Sequence, residues 1–222
     1  MKTILVPLGN SEKAINTLQY AIDFATVSNA KIYVVQVFGS AKTTGHLKNI
    51  DAILEKDNKD ELAHILSTVD SKNIIIKSIV VKGSILDIIS RASDELNVDL
   101  IISSSKLSTS NSSVYLGGVV GGIVKQTEIP MLIVPKGYVF KPINTILLGL
   151  RSGLIKKTGV LEPLKDIAAL FKAKVNLLHV ITPQNTLEDN SLHEDFKKVA
   201  HTIINSENAT VYQGVLEHLI KV

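Results

Sequence analysis

Two stretches of this chain, one opening at Ile4 and the other at Ile146, run through the same succession of apolar segments. Ile146-Leu147-Leu148-Gly149-Leu150 answers Ile4-Leu5-Val6-Pro7-Leu8, and residues 173–180 (AKVNLLHV) answer residues 30–37 (AKIYVVQV). Residues 213–220 (QGVLEHLI) then answer residues 82–89 (KGSILDII), in the same order and with only loop insertions and deletions between them. Repetition on this scale is an internal duplication of a whole array of strands and helices. It predicts a complete domain over residues 1–140 and an incomplete one over 144–222, which stops in the helix after its third strand. A sheet left half built would bare its first strand as a hydrophobic edge. The chain is therefore expected to be a piece of a longer protein.

Within the first copy, strand and helix patterns alternate. Ile4-Leu5-Val6, the run 31–38, Ile74-Ile75-Ile76 with Ile79-Val80-Val81, the run 99–102 and Pro130–Pro135 are short apolar stretches that predict five strands. Between them lie helical spacings. Ala14, Ile15, Leu18, Ala21, Ile22 and Ala25 follow a cap at Ser11, and a second stripe runs from about Ile50 to Val69. Ile85, Ile88, Ile89, Ala92 and Leu96 follow a cap at Ser84, and Val119, Ile123 and Val124 mark a fourth helix. Nearly continuous apolar strands separated by helices imply a mostly parallel sheet covered on both faces, a doubly wound α/β fold. Pro130 and Pro135 bracket the fifth strand and suit a sheet edge. Aromatic residues are only 5% of the chain, so isoleucine, leucine and valine carry the burial.

Composition removes several function classes. There is no cysteine, hence no disulfide and no thiolate metal site, and a cytoplasmic location is the expectation. No run is long enough to span a membrane, and the N-terminus opens directly into a strand pattern, so no membrane partner is expected. The sequons at Asn111 and Asn208 are then chance matches. A formal charge of +3 is spread among acids without interleaved aromatics, which argues against a nucleic-acid partner.

Three segments carry a family resemblance: residues 4–25 (ILVPLGNSEKAINTLQYAIDFA), 80–105 (VVKGSILDIISRASDELNVDLIISSS) and 116–135 (LGGVVGGIVKQTEIPMLIVP). They resemble the universal stress protein family, in its tandem-domain type with a truncated second domain. The resemblance implies a five-stranded parallel sheet of order 3-2-1-4-5, adenine nucleotide alpha hydrolase-like. It also implies a homodimer paired through the last strand, here Met131, Leu132, Ile133 and Val134.

Some members of that family bind ATP through a loop G-x2-G-x9-G-[ST]. Glycines there let backbone amides approach phosphates, and the following helix N-terminus favours the anion. In residues 103–118 (SSSKLSTSNSSVYLGG), Gly117 falls on the third glycine and Gly118 on the Ser/Thr, while Ser104 and Leu107 occupy the first two glycine positions. A leucine at positive φ would be unfavourable by about 1 kcal/mol or more. The family's acidic residue after the first strand, which contacts the nucleoside, is replaced by Gly9; Pro7 and Val37 match positions that line the adenosine pocket. Ser104, Ser105, Lys106, Gly117, Gly118 and Val119, with Pro7, Gly9 and Val37, are the candidate site for a nucleotide or other anion. Two readings stand side by side. One is a non-enzymatic, dimerising scaffold or sensor for stress, its pocket degenerate; the other is an ATP- or AMP-binding module, weakly hydrolysing, built on the serine loop.

Other constellations are weaker. Residues 39–46 (GSAKTTGH) resemble a phosphate loop, but the glycines are one residue too far apart and no Lys-Ser/Thr follows. His193 and His201 are spaced to share a helix face, too far apart to bind one metal without a third ligand. His179 answers Gln36 in a strand and is either structural or a lining residue of the second domain's vestigial pocket. His46 and His64 belong to the connection and helix between the second and third strands, away from the cleft of the first domain, and there is no G-x-S-x-G elbow, so neither catalytic residues nor a metal are assigned. Gly117-Gly118 and Gly121-Gly122, four apart, predict a helix packed closely against the sheet.

Overall fold

The apolar runs of the first copy become strands because each is short and β-branched, and the helical stripes close over them. The computed structural model describes residues 1–9, 12–39, 50–104, 118–150, 159–181 and 201–205. Two units result, Met1–Lys141 and Pro142–Val222. The first contains β1 (Thr3–Leu8), α1 (Glu12–Ser28), β2 (Lys31–Phe38), α2 (Ile50–Thr68), β3 (Ile76–Lys82), α3 (Ile85–Glu95), β4 (Leu100–Ser104), α4 (Gly118–Gln126) and β5 (Met131–Val134). Its sheet has the order β3-β2-β1-β4-β5 and every pairing is parallel. The predicted fold class is observed, with β5 at one edge and β3 at the other.

Burial follows strand position. Central β1 is buried along its whole length and β4 along all but its last residue, whereas edge strand β3 is largely exposed. Leu5, Val35 and Ile101 from the sheet pack with Ile88 and Ile89 of α3 and Ile123 of α4. Each fully buried side chain of this size contributes about 1.5–3 kcal/mol. At the N-terminal ends, Asp99 fastens β1 to β4: its carboxylate accepts hydrogen bonds from the backbone N–H of Lys2 (2.7 Å) and Thr3 (2.9 Å). The Asp99 N–H returns a bond to the Thr3 carbonyl at 3.0 Å.

Local details correct some expectations. Ser84 does precede α3, but its side chain makes no capping hydrogen bond. Ser11 lies outside the described residues. The third strand starts at Ile76, not Ile74, because Lys72 and Asn73 turn at positive φ and the Ile74 N–H bonds back to the Ser71 carbonyl at 2.8 Å. Close glycine packing is found at Gly122 and is directed at α3: a Cβ there would lie 2.9 Å from both methyl carbons of Leu86. Gly118 and Gly121 face open space.

After β5, the segment from Tyr138 to Phe140 lies on α1. Asn16 donates to the Tyr138 carbonyl at 3.3 Å, and the Tyr20 ring stands edge-on to Phe140 at 5.3 Å between centroids. Burial, and then the neighbouring Tyr138, push the Tyr20 hydroxyl above its ordinary pKa.

The second unit comprises β6 (Thr145–Leu150), α5 (Glu162–Phe171), β7 (Lys174–Ile181) and β8 (His201–Asn205), in a parallel sheet of order β6-β7-β8. Its first half has local geometry in common with the first unit. Thr145 pairs with Lys174 as Thr3 pairs with Lys31. The Ala173 N–H bonds to Ala168 as the Ala30 N–H bonds to Ala25, closing α5 and α1 with the same left-handed cap, at Lys172 (φ 53°) and Asn29 (φ 52°). His201 begins a strand, so it does not share a helix face with His193, which lies outside the described residues. Strand β8 also precedes, by several residues, the segment 213–220 that matches residues 82–89; that segment is not among the described residues.

Candidate functional site: the crevice between β1 and β4

Strand β1 is the point at which the order of the sheet reverses, since β2 and β3 lie to one side and β4 and β5 to the other. In open α/β sheets, ligands bind outside the carboxyl ends of the strands at such a point. The crevice here has a specific local cause. Pairing of β1 with β4 stops at Leu5↔Ile101, although β1 continues to Leu8 and β4 to Ser104. The Lys31 N–H bonds to the Lys2 carbonyl, so even-numbered residues of β1 address β2 and odd-numbered ones address β4. Pro7 is therefore turned towards β4 with no N–H to offer, and the ladder cannot continue past it. Asp99 holds the two strands together at one end and Pro7 leaves them unlaced at the other.

The rim gathers several of the residues expected from the sequence. Pro7 is buried at the end of β1, and Gly9 follows it, exposed, with nothing within 4 Å of where a Cβ would stand. Val37, partly buried, comes from the end of β2, whose Leu8↔Gln36 pairing sets it beside the tip of β1. Ser104 ends β4 and is partly buried, with Ser103 buried before it. Gly118 and Val119 form the exposed first turn of α4, which has no acidic residue. Ser105, Lys106 and Gly117 lie outside the described residues, as does Leu107.

Chemically, the described rim is neutral. Pro7, Gly9, Val37, Ser104, Gly118 and Val119 provide apolar wall, hydroxyl and backbone amide, but no charge. The part of this site that sequence reasoning missed is structural: the role of Asp99 as a clamp, and of Pro7 as the residue that keeps the crevice open. A proline inside a strand was the available signal for the second.

Met131–Val134 form edge strand β5, paired on one side with β4. Met131, Leu132 and Ile133 are partly exposed and Val134 is buried. No helix among the described residues is long and apolar enough to cross a membrane.

Comparison with known proteins places this geometry. The family model described as the universal stress protein family matches residues 1–135. Universal stress protein MJ0531 of Methanocaldococcus jannaschii is 21% identical over 140 residues, covering 61% of this chain and 82% of that protein. The crystal structure of a universal stress protein from Archaeoglobus fulgidus superposes with a TM-score of 0.74 at 18% identity, over 99% of this chain and 82% of the other. The structure of hypothetical protein MJ0577 superposes at 0.53 and 24% identity, over 62% of this chain and 97% of that one.

Proposed function

The chain belongs to the universal stress protein family, and from that premise we propose that it is a non-enzymatic stress-response protein, a dimerising scaffold or sensor with a degenerate nucleotide pocket. The observation that carries this reading is Gly9. At the tip of β1, where the family's nucleoside-contacting acid belongs, there is a glycine surrounded by open space, and no rim residue named above replaces the carboxylate. The leucine and serine at the first two loop-glycine positions act in the same direction, since both carry a Cβ where the phosphate loop needs backbone freedom.

A second reading, an ATP- or AMP-binding module, is favoured by one observation: β1 and β4 part before their carboxyl ends, and the first turn of α4 carries no acid to oppose an anion. Titration calorimetry of nucleotide-free protein with ATP and with AMP separates the two. The degenerate pocket predicts no saturable heat in the micromolar range. Micromolar binding that Gly117→Asp abolishes would overturn it in favour of the second reading. In the degenerate case Gly9→Asp, which enters open space, restores measurable affinity by supplying a charged hydrogen-bond acceptor.

The assembly proposed is a homodimer through β5, whose outer edge pairs with no other strand among the described residues of the first unit. Sedimentation equilibrium showing only monomers at high concentration would end that part of the proposal. The second unit is proposed to be a partial second copy of the first, supported by the matched register and helix caps. The absence of cysteine supports a cytoplasmic setting.

A further inference from the structure

The opposite edge of the first unit has the features of a strand-accepting surface. Among the described residues strand β3 pairs only with β2. The Ile32 N–H bonds to the Ile75 carbonyl (2.9 Å) and the Gly83 N–H to the Phe38 carbonyl (3.0 Å), so odd-numbered residues of β3 serve the ladder with β2. Ile76, Ser78 and Val80 therefore direct their N–H and C=O groups outward.

Two cavities flank this edge, one on each face of the sheet. The one beneath α3 has a volume of about 530 Å³ and an apolar floor that includes Tyr33, Ile79, Val81 and Leu96. The one beneath α2, about 390 Å³, is walled by Leu62, Leu66 and Val80. Ser78 and Ile79 line both. Ile79 is 55% exposed on a strand otherwise guarded by Lys77 and Lys82, and Ile75, just before the strand, is 64% exposed. Lysines on an edge usually prevent pairing, yet here Lys82 is paired with Asp51 at 2.6 Å and Lys77 lies 5.9 Å from the centroid of the Tyr33 ring. Neither blocks the Ser78–Val80 stretch.

We propose that β3 accepts an extended peptide segment of a partner as a sixth strand, with alternate apolar side chains entering the α3 and α2 cavities in turn. Strand addition draws affinity from main-chain hydrogen bonds and specificity from pockets that take every second side chain. That is the arrangement found here. Charge selects the partner further. Lys77 and Arg91 line the α3 cavity against a single carboxylate, Glu95, and the ammonium of Lys31 lies 5.4 Å from the Tyr33 ring centroid. The segment on that face is therefore apolar with acidic residues. A second copy of this chain is disfavoured because it would bring the same excess of cations to the same place.

The test uses the full chain and a fluorescein-labelled ten-residue peptide with valines and threonines on both faces of the extended strand and two glutamates sharing one of those faces with valines, followed by fluorescence anisotropy. Saturable binding is expected, weakening as salt rises. Ser78→Pro removes an outward N–H and leaves the β2 ladder intact, as edge prolines do; it is expected to weaken binding about tenfold. The same peptide with alternate backbone nitrogens methylated should be equally weak on the unaltered protein, a readout that does not depend on any variant folding. No saturable binding overturns the proposal. So does unchanged affinity for both Ser78→Pro and the methylated peptide, which would reduce the edge to a side-chain groove. A dimer lost specifically on Ser78→Pro would make a second copy the occupant and overturn it as well.

Discussion

The packing of α4 against α3 turns on one glycine, and the two neighbours Gly121 and Gly122 make the point testable. Both lie inside α4, where glycine is about 1 kcal/mol worse than alanine. At Gly121 an added methyl meets nothing within 4 Å, so Gly121→Ala should stabilise by about 0.5–1 kcal/mol. At Gly122 the same methyl would stand 2.9 Å from Leu86 Cδ1 and from Cδ2. Carbon atoms ordinarily meet at about 3.5–4.0 Å, so something must move by more than half an ångström. Overpacking of this kind costs about 1–3 kcal/mol. Set against the propensity gain, Gly122→Ala should be neutral to destabilising by about 2 kcal/mol.

The contrast between the two variants, about 1–3 kcal/mol, is the quantity to measure. Urea unfolding followed by far-UV circular dichroism would separate the midpoints by about 0.5–1.5 M, taking a slope of about 2 kcal/mol/M. Leu86→Ala in the Gly122→Ala background should recover part of the loss, a coupling visible in a double-mutant cycle. If Gly122→Ala is as stabilising as Gly121→Ala, Leu86 swings aside freely and close helix packing is not what this glycine provides. In that case the position of the α4 N-terminus is not set by its contact with α3.

Lys172 closes α5 in the left-handed conformation that Asn29 adopts after α1. A lysine there is strained, so Lys172→Gly should raise the stability of the second unit by about 1 kcal/mol, read as a higher urea midpoint. Pro7→Val supplies the missing donor and should let the β1–β4 ladder run on; hydrogen exchange should then slow at Ser104, whose N–H faces β1, and unchanged protection there would refute the account of the crevice. The effect of pH lies at the alkaline end. Tyr20 binds its proton more tightly in the folded state, through burial and then Tyr138, and Lys72 does so through Asp23. Both raised values mean stability that is full below the ordinary pKa values, 10.0 for Tyr20 and 10.5 for Lys72, and is lost as pH rises above them through the raised folded-state values. Denaturation at pH 9, 10 and 11 should show the fall, and Tyr20→Phe should lessen it.

The strands were legible where pattern and pairing agree. The apolar run Lys31–Phe38 is β2 to the residue, because it is flanked by a helix cap at Asn29 and a glycine at 39, and both neighbours pair with it. Ile74 and Ile75 look no different from Ile76 in the sequence. They are excluded by a turn whose two positive-φ residues, Lys72 and Asn73, do not advertise themselves as glycine would. In the second unit, similarity to Lys82–Ile89 directed attention to residues 213–220, whereas β8 is fixed by its register against Leu177–Ile181. Pairing partners decide a strand, and a linear pattern cannot name them.

The site divides along the same line. The expectations for Gly9 and Val37 rest on residue type alone, a missing acid and an apolar wall. The openness of the crevice is a matter of direction: Pro7 matters because its nitrogen faces β4 and not β2, and parity along β1 becomes visible only once Lys31 is seen bonded to Lys2. Asp99 gives even less warning, since an aspartate before a strand is commonplace until two backbone N–H groups of another strand are found on its carboxylate. A crevice closed by a carboxylate at one end and held open by an imino acid at the other can outlast the loss of its ligand chemistry. Neither Asp99 nor Pro7 needs Gly9 to be acidic, and so, on the degenerate-pocket reading proposed above, the backbone geometry at this point of the sheet is set independently of the residues that would supply charge.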